Sequence, residues 1–117
     1  MISNLKNFIR RIIHPNHYSS HVFVKYLRNI GINIGKGTYF FDPLNTKVDI
    51  SRPYLLEIGN YCKITGGVII LTHDYSYSVI RRAYHDILGE CHKTIIGNNV
   101  FIGMNAIIMP GITIETM

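Results

Sequence analysis

The sequence predicts an all-β solenoid, built as a parallel β-helix with a short α-helical lead and one protruding loop. Two observations predict it. Seven isoleucines fall on two six-residue grids, Ile58, Ile64 and Ile70 on one and Ile96, Ile102, Ile108 and Ile114 on the other, with Ile34 four further sixes before Ile58. Gly follows at Gly35, Gly59, Gly97 and Gly103, and a small or modest residue recurs four places after the isoleucine, at Thr38, Cys62, Val68, Val100 and Ala106. Neither helical nor simple strand periodicity gives a six-residue repeat with a turn residue at fixed phase. A parallel β-helix does, each unit being one short face plus one corner. The β-branched Ile suits an extended backbone and stacks inward, and Gly eases the corner. No unit buries its face alone, so the units must stack.

The elements follow in order. Residues 2–13 read as an amphipathic helix, with Ile2, Leu5, Phe8, Ile9 and Ile12 on one face, Lys6, Arg10 and Arg11 near its edge and Pro15 as its stop. It is expected to pack on the stack or on a neighbouring subunit, with an anionic membrane surface as the alternative. A second helix is expected from Ser20 to Asn29, capped by Ser19 or Ser20 and ended by Gly31. Residues 1–31 thus form a helical lead, and 32–117 the repeat domain. Between Thr38 and Leu56 the repeat is irregular, with turns at Asp42-Pro43, Asn45 and Arg52-Pro53, yet the frame is expected to hold as four sixes from Ile34 to Ile58. From Ile70 to Ile96 the gap exceeds one six by the span 74–93, so those residues must leave the stack as a loop. Glu115 stands where a Gly is expected, and the chain stops inside a repeat unit. A solenoid needs a cap over its last layer, so the chain reads as truncated at its C-terminus.

At 117 residues there is room for one domain. The formal charge of +5 comes without a basic stripe interleaved with aromatics, which argues against nucleic acid and suits an anionic ligand. Cys62 and Cys91 make no disulfide framework. Cys91 beside His92 lacks the further ligands a metal would need, so no metal is expected. No apolar run is long enough for a transmembrane helix and no secretion signal is present, so the expected location is cytoplasmic.

The stretches Ile58-Gly59-Asn60-Tyr61-Cys62, Thr72-His73-Asp74, Ile96 to Gly103 and Pro110-Gly111-Ile112-Thr113-Ile114 resemble the hexapeptide-repeat acyltransferases. Within these, the chain looks like the sugar and polysaccharide O-acetyltransferases related to maltose, galactoside and serine acetyltransferases. The resemblance covers most of residues 30–117 and implies a left-handed β-helix. It also implies acetyl-CoA as acyl donor, a hydroxyl of a sugar or polysaccharide precursor as acceptor, and a homotrimer with active sites between subunits. A truncated, non-catalytic assembly or regulatory subunit and an amino-sugar N-acetyltransferase are the alternatives.

In that family a His ending a repeat run just before a protruding loop is the catalytic base, and His73 holds that position here. The chemistry fits: an imidazole, titrating ordinarily near about 6.5, takes the acceptor proton at neutral pH and returns it to the leaving thiolate. Direct transfer needs no nucleophilic Ser or Cys. Asp74, Asp86 and Glu90 stand as alternative partners to orient His73, while His85 and His92 read as loop residues. Asp74, Tyr75, Tyr77, Arg81 and Arg82 are expected to line the acceptor site, Tyr stacking on sugar and Arg pairing with anions. Asp49 and Arg52 are weaker candidates there. By resemblance, Gly103, Met104, Asn105 and Ala106 match the first part of the coenzyme A site.

Overall fold

In the computed structural model, residues 2–74, 76–84 and 92–117 are described, with Ser76 and Tyr77 described in backbone only. The chain opens with α1 (Ile2–Ile13) and α2 (Ser20–Asn29). Ten short strands follow: β1 (Asn33–Ile34), β2 (Tyr39–Phe40), β3 (Lys47–Val48), β4 (Leu56–Ile58), β5 (Lys63–Ile64), β6 (Ile69–Ile70), β7 (Thr94–Ile96), β8 (Phe101–Ile102), β9 (Ile107–Ile108) and β10 (Thr113–Ile114). Between β6 and β7 stands α3 (Ser76–Tyr84). The strands pair in parallel as three sheets, β1-β4-β7-β10, β2-β5-β8 and β3-β6-β9, which the chain visits in turn.

The expected class, an all-β solenoid in the form of a left-handed parallel β-helix, is corrected. Among the described residues, three α-helices of 12, 10 and 9 residues stand beside the parallel sheets of short strands, so the chain mixes helix and sheet. The reason is physical: a six-residue grid samples only the strand segments. It is silent on α1 and α2, and it sees α3 only as an interruption.

The grid isoleucines do point inward. Ile34, Ile58, Ile64, Ile70, Ile96, Ile102 and Ile108 are buried, with Thr38, Cys62, Val68 and Val100 beside them, and Ile114 packs on the core's margin. The frame between Ile34 and Ile58 is a different matter. One visit to all three sheets fills that interval, not four intact sixes. Tyr39 to Lys47 takes eight residues and Lys47 to Glu57 ten, because 3-10 turns at Pro43–Asn45 and Pro53–Leu55 lengthen both corners. Proline fixes φ and suits the first position of such a turn. Across the insertion, the partners in all three sheets keep one common offset (Glu57↔Ile95, Lys63↔Phe101, Ile69↔Ile107). The register of the strands is therefore the same in all three sheets across the interval between β6 and β7.

Of the glycines after the isoleucines, Gly35, Gly59 and Gly97 serve close approach rather than φ, while Gly103 is uncrowded. A Cβ on Gly59 would lie 2.6 Å from the Gly97 carbonyl oxygen, and one on Gly97 would lie 2.6 Å from Thr116 N. The left-handed residue comes two places later, three after the isoleucine: Gly37, Tyr61, Gly67, Asn99, Asn105 and Gly111 all have positive φ.

Helix α2 belongs to the core. Ser19 caps it, its hydroxyl accepting from Val22 N. Phe23, Val24 and Leu27 are buried, and Phe23 meets Phe40 edge-on at 4.9 Å. Arg28 donates to the carbonyls of Ile34 and Gly35. Helix α1 is different: none of its residues is buried, so the expected packing on the stack is not seen within the chain.

Candidate active site

The site is built where β3 and β6 lie side by side. Val48 is in register with Ile70, so the next residue, Asp49, sits opposite Leu71, with Asp49 N donating to Ile70 O. Beyond Leu71 come Thr72 and His73. Three anchors hold this segment. Leu71 N donates to Ile108 O. Thr94 Oγ1 donates to Leu71 O at 2.9 Å and accepts from Gly111 N at 3.1 Å. Thr72 N and Oγ1 both donate to Asp49 Oδ2, at 3.1 and 2.6 Å. Thr72 is buried, and Thr94 is 0% exposed.

Asp49 is the hub. Its Oδ1 accepts from Ser51 N and Ser51 Oγ, at 3.0 and 2.6 Å. Its Oδ2 accepts from Thr72 and also faces His73 Nδ1 at 2.7 Å. Burial pushes this carboxyl up, but the hydroxyl and backbone donors of Ser51 and Thr72 outweigh burial and hold it well below the usual carboxylate range. Asp49 is therefore an anion at neutral pH and only accepts hydrogens. That assigns the hydrogen on His73 to Nδ1 and leaves Nε2 as the lone-pair nitrogen. Ser51 Oγ, 3.2 Å from Nδ1, has its own hydrogen on Asp49 Oδ1 and stands beside the pair as a second acceptor.

The His73 side chain is 38% exposed while that of Asp49 is 10% exposed. A half-buried anion thus backs a more accessible imidazole. The ring opens on a cleft of about 430 Å³ lined by Lys47, Val48, Asp49, Ile69, Ile70, Leu71, His73 and Asp74. A second cleft, about 440 Å³, runs past Asp42, Asn45, Gly66, Gly67, Met104 and Asn105, and shares Lys47 and Ile69 with the first. Chemically, the arrangement can take a proton at Nε2 while Asp49 steadies the imidazolium.

The structure gathers some of the expected residues and not others. His73, Asp74 and Asp49 line one cleft, and the carboxylate on His73 Nδ1 is that of Asp49, which the sequence suggested only as an acceptor contact. Arg81 and Arg82 are exposed on α3, and neither is among the described residues lining that cleft. Tyr75, His85, Asp86, Glu90 and Cys91 lie outside the described residues, as does the side chain of Tyr77. In the turn after β8, Met104 is exposed, Met104 and Asn105 line the second cleft, and Ala106 packs on the core. Sequence reasoning missed Thr72, Thr94 and Ser51 as the residues that hold the pair. Thr72-His73-Asp74 was visible as a motif, but the role of its Thr depends on the neighbouring strand. Among the described residues, no group of three or more His, Cys, Asp or Glu is placed to hold a metal ion, and no helix is long and apolar enough to cross a membrane.

Protein CapG of Staphylococcus aureus is 42% identical to the chain over 87 residues, covering 74% of this chain and 49% of that protein. The chain thus spans about half the length of the curated relative it matches. No protein-family model matches the chain, and no solved structure does.

Proposed function

We propose that the chain belongs to an acetyl-CoA-dependent O-acetyltransferase acting on a hydroxyl of a sugar or polysaccharide precursor, with His73 as general base. The observation that carries the reading is the 2.7 Å contact between His73 Nδ1 and the half-buried Asp49 carboxylate. It fixes the ring and leaves Nε2 as a base beside an accessible cleft. Nε2 takes the acceptor hydroxyl proton as the oxygen attacks the thioester carbonyl. The imidazolium, stabilised by Asp49, then returns that proton to the departing thiolate. The resemblance of the sequence motifs to hexapeptide-repeat acyltransferases supplies the reaction class.

Acetyl-CoA enters as a substrate. The second cleft suits an extended donor, since Met104 and Asn105 line it and it neighbours the His73 cleft, sharing Lys47 and Ile69 with it. Lys47 offers a cation to an anionic donor. Gly103 directly precedes Met104 and is uncrowded, its nearest neighbour being Phe101 at 3.8 Å from an added Cβ. A homotrimer with sites between subunits completes the reading, and Phe101, Met104 and Ile107 are exposed apolar residues on the strands and turn that would meet a neighbour.

The test is release of free thiol from acetyl-CoA with a panel of sugar acceptors, for the wild-type chain and His73→Ala. Acceptor-dependent release that His73→Ala abolishes supports the reading. Release that survives in His73→Ala, or a wild type that neither binds nor consumes acetyl-CoA, refutes it.

A further inference from the structure

We propose that α1 is a membrane-surface helix that lies flat on an anionic lipid bilayer. At about 100° per residue, Ile2, Leu5, Phe8, Ile9, Ile12 and Ile13 fall within an arc of about 140°. Each of the six is between 44% and 74% exposed. The opposite arc holds Ser3, Asn4, Asn7, Arg10 and Arg11, with Lys6 on one border. α1 has no acidic residue in its first turn and Arg10 and Arg11 in its last. An unpacked apolar face bordered by cations is the pattern of a helix that lies in a lipid interface. At about 1.5 Å per residue its 12 residues reach far less than the roughly 30 Å of a hydrocarbon core, so it would rest on a membrane rather than cross it.

Charge selects the occupant. Up to Phe41 the chain carries six Lys and Arg, at Lys6, Arg10, Arg11, Lys25, Arg28 and Lys36, and no Asp or Glu. From Asp42 onward it carries six Lys and Arg against all seven acidic residues. The chain's entire positive excess therefore lies in the lead, where α1 stands. A polyanionic, laterally fluid apolar surface matches both features at once. A second copy of this chain would bring its own five lead cations against these. Anionic lipid attracts such a segment by about fivefold per Lys or Arg near the surface.

The test uses the full chain and lipid vesicles, and its readout is independent of any turnover. Co-sedimentation is measured with phosphatidylcholine vesicles, with and without phosphatidylglycerol, at low and high salt. The chain is expected to sediment with the anionic vesicles and to be released by salt. Ile9→Asp is expected to lower partition at least tenfold. The double variant Lys6→Ser/Arg10→Ser is expected to lower it on the order of twentyfold, leaving Arg11 on the Tyr18 ring, 5.4 Å from its centroid. None of these side chains is buried, so the thermal midpoint stays near that of the wild type. The chain has no Trp, so Phe8→Trp gives a clean probe whose emission shifts to the blue on the same vesicles. A wild type that stays in the supernatant overturns the proposal, as does an Ile9→Asp variant that binds as well as wild type. If Ile9→Asp changes the solution mass while vesicles leave the wild type unbound, the face is covered by a second copy and the proposal fails.

Discussion

Asp49 Oδ2 and His73 Nδ1 meet at 2.7 Å across the parallel pair β3 and β6, each one residue or a few beyond its strand. The pair is held from both sides, Ser51 saturating one carboxylate oxygen and Thr72 the other. In an acetyl-transfer assay, His73→Ala is expected to lower kcat by about 10²–10⁴-fold, the usual contribution of a positioned base. Asp49→Asn keeps the volume but loses the anion that steadies the imidazolium, and is expected to cost about 10–100-fold. A variant at Asp49 with wild-type kcat would show that the contact has no bearing on proton transfer.

The same carboxylate makes stability pH-dependent. Its folded pKa lies below the unfolded value of about 3.9. It therefore contributes stability that is fully present above that value and is lost as pH falls below it, while the unfolded chain binds the proton first. Denaturant midpoints of wild type and Asp49→Asn are expected to differ most near neutral pH, to begin converging as pH falls below about 5 and to go on converging as it falls through the folded pKa. A difference that stays constant over that range would mean that Asp49 carries no depressed pKa.

How much of this was legible in the sequence follows from what each residue's environment depends on. Ile58, Ile64, Ile96 and Ile102 announce themselves because a β-branched residue facing one core must recur with the corner spacing. Helices α1 and α2 are legible from their own period and from Ser19 and Gly31 at their ends. Asp49 beside His73 is not, because the offset between partners in β3 and β6 (Lys47↔Ile69) is shorter than that in β1 and β4 (Asn33↔Glu57). That difference is set by the 3-10 corner at Pro43–Asn45, which separates Tyr39 from Lys47 by two residues more than Lys63 from Ile69, a length no local pattern states. Thr94 gives no signal either, since its two bonds, to Leu71 and Gly111, span the insertion on one side and two strands on the other.

Thr94 is accordingly a residue whose loss should reach the site without touching it. Thr94→Val keeps the shape but leaves the part-buried Leu71 carbonyl and the Gly111 N–H without this partner. The expected destabilisation is about 1–3 kcal/mol, read from denaturant unfolding. Because Leu71 leads directly into Thr72 and His73, kcat should fall by more than KM changes. A stable variant with unaltered kcat would show that Thr94 serves the stack and not the position of His73.

The last expectation separates two glycines that the sequence treats alike. Gly59 and Gly103 both follow a grid isoleucine. A Cβ on Gly59 would sit 2.6 Å from Gly97 O and 2.7 Å from Gly97 C, both backbone atoms that can move only if the neighbouring strand moves. On Gly103 the nearest atom is the Phe101 ring at 3.8 Å, an ordinary contact. Neither glycine has positive φ, so close approach alone decides. Gly59→Ala is expected to destabilise by about 1–3 kcal/mol, and Gly103→Ala by less than about 0.5 kcal/mol. Paired unfolding curves check this, and equal losses at the two sites would refute it. Gly103→Ala then becomes a fold-neutral probe of the turn whose Met104 and Asn105 line the second cleft. If the turn after β8 holds the acyl donor, it should raise the KM for acetyl-CoA while leaving the denaturant midpoint where it was.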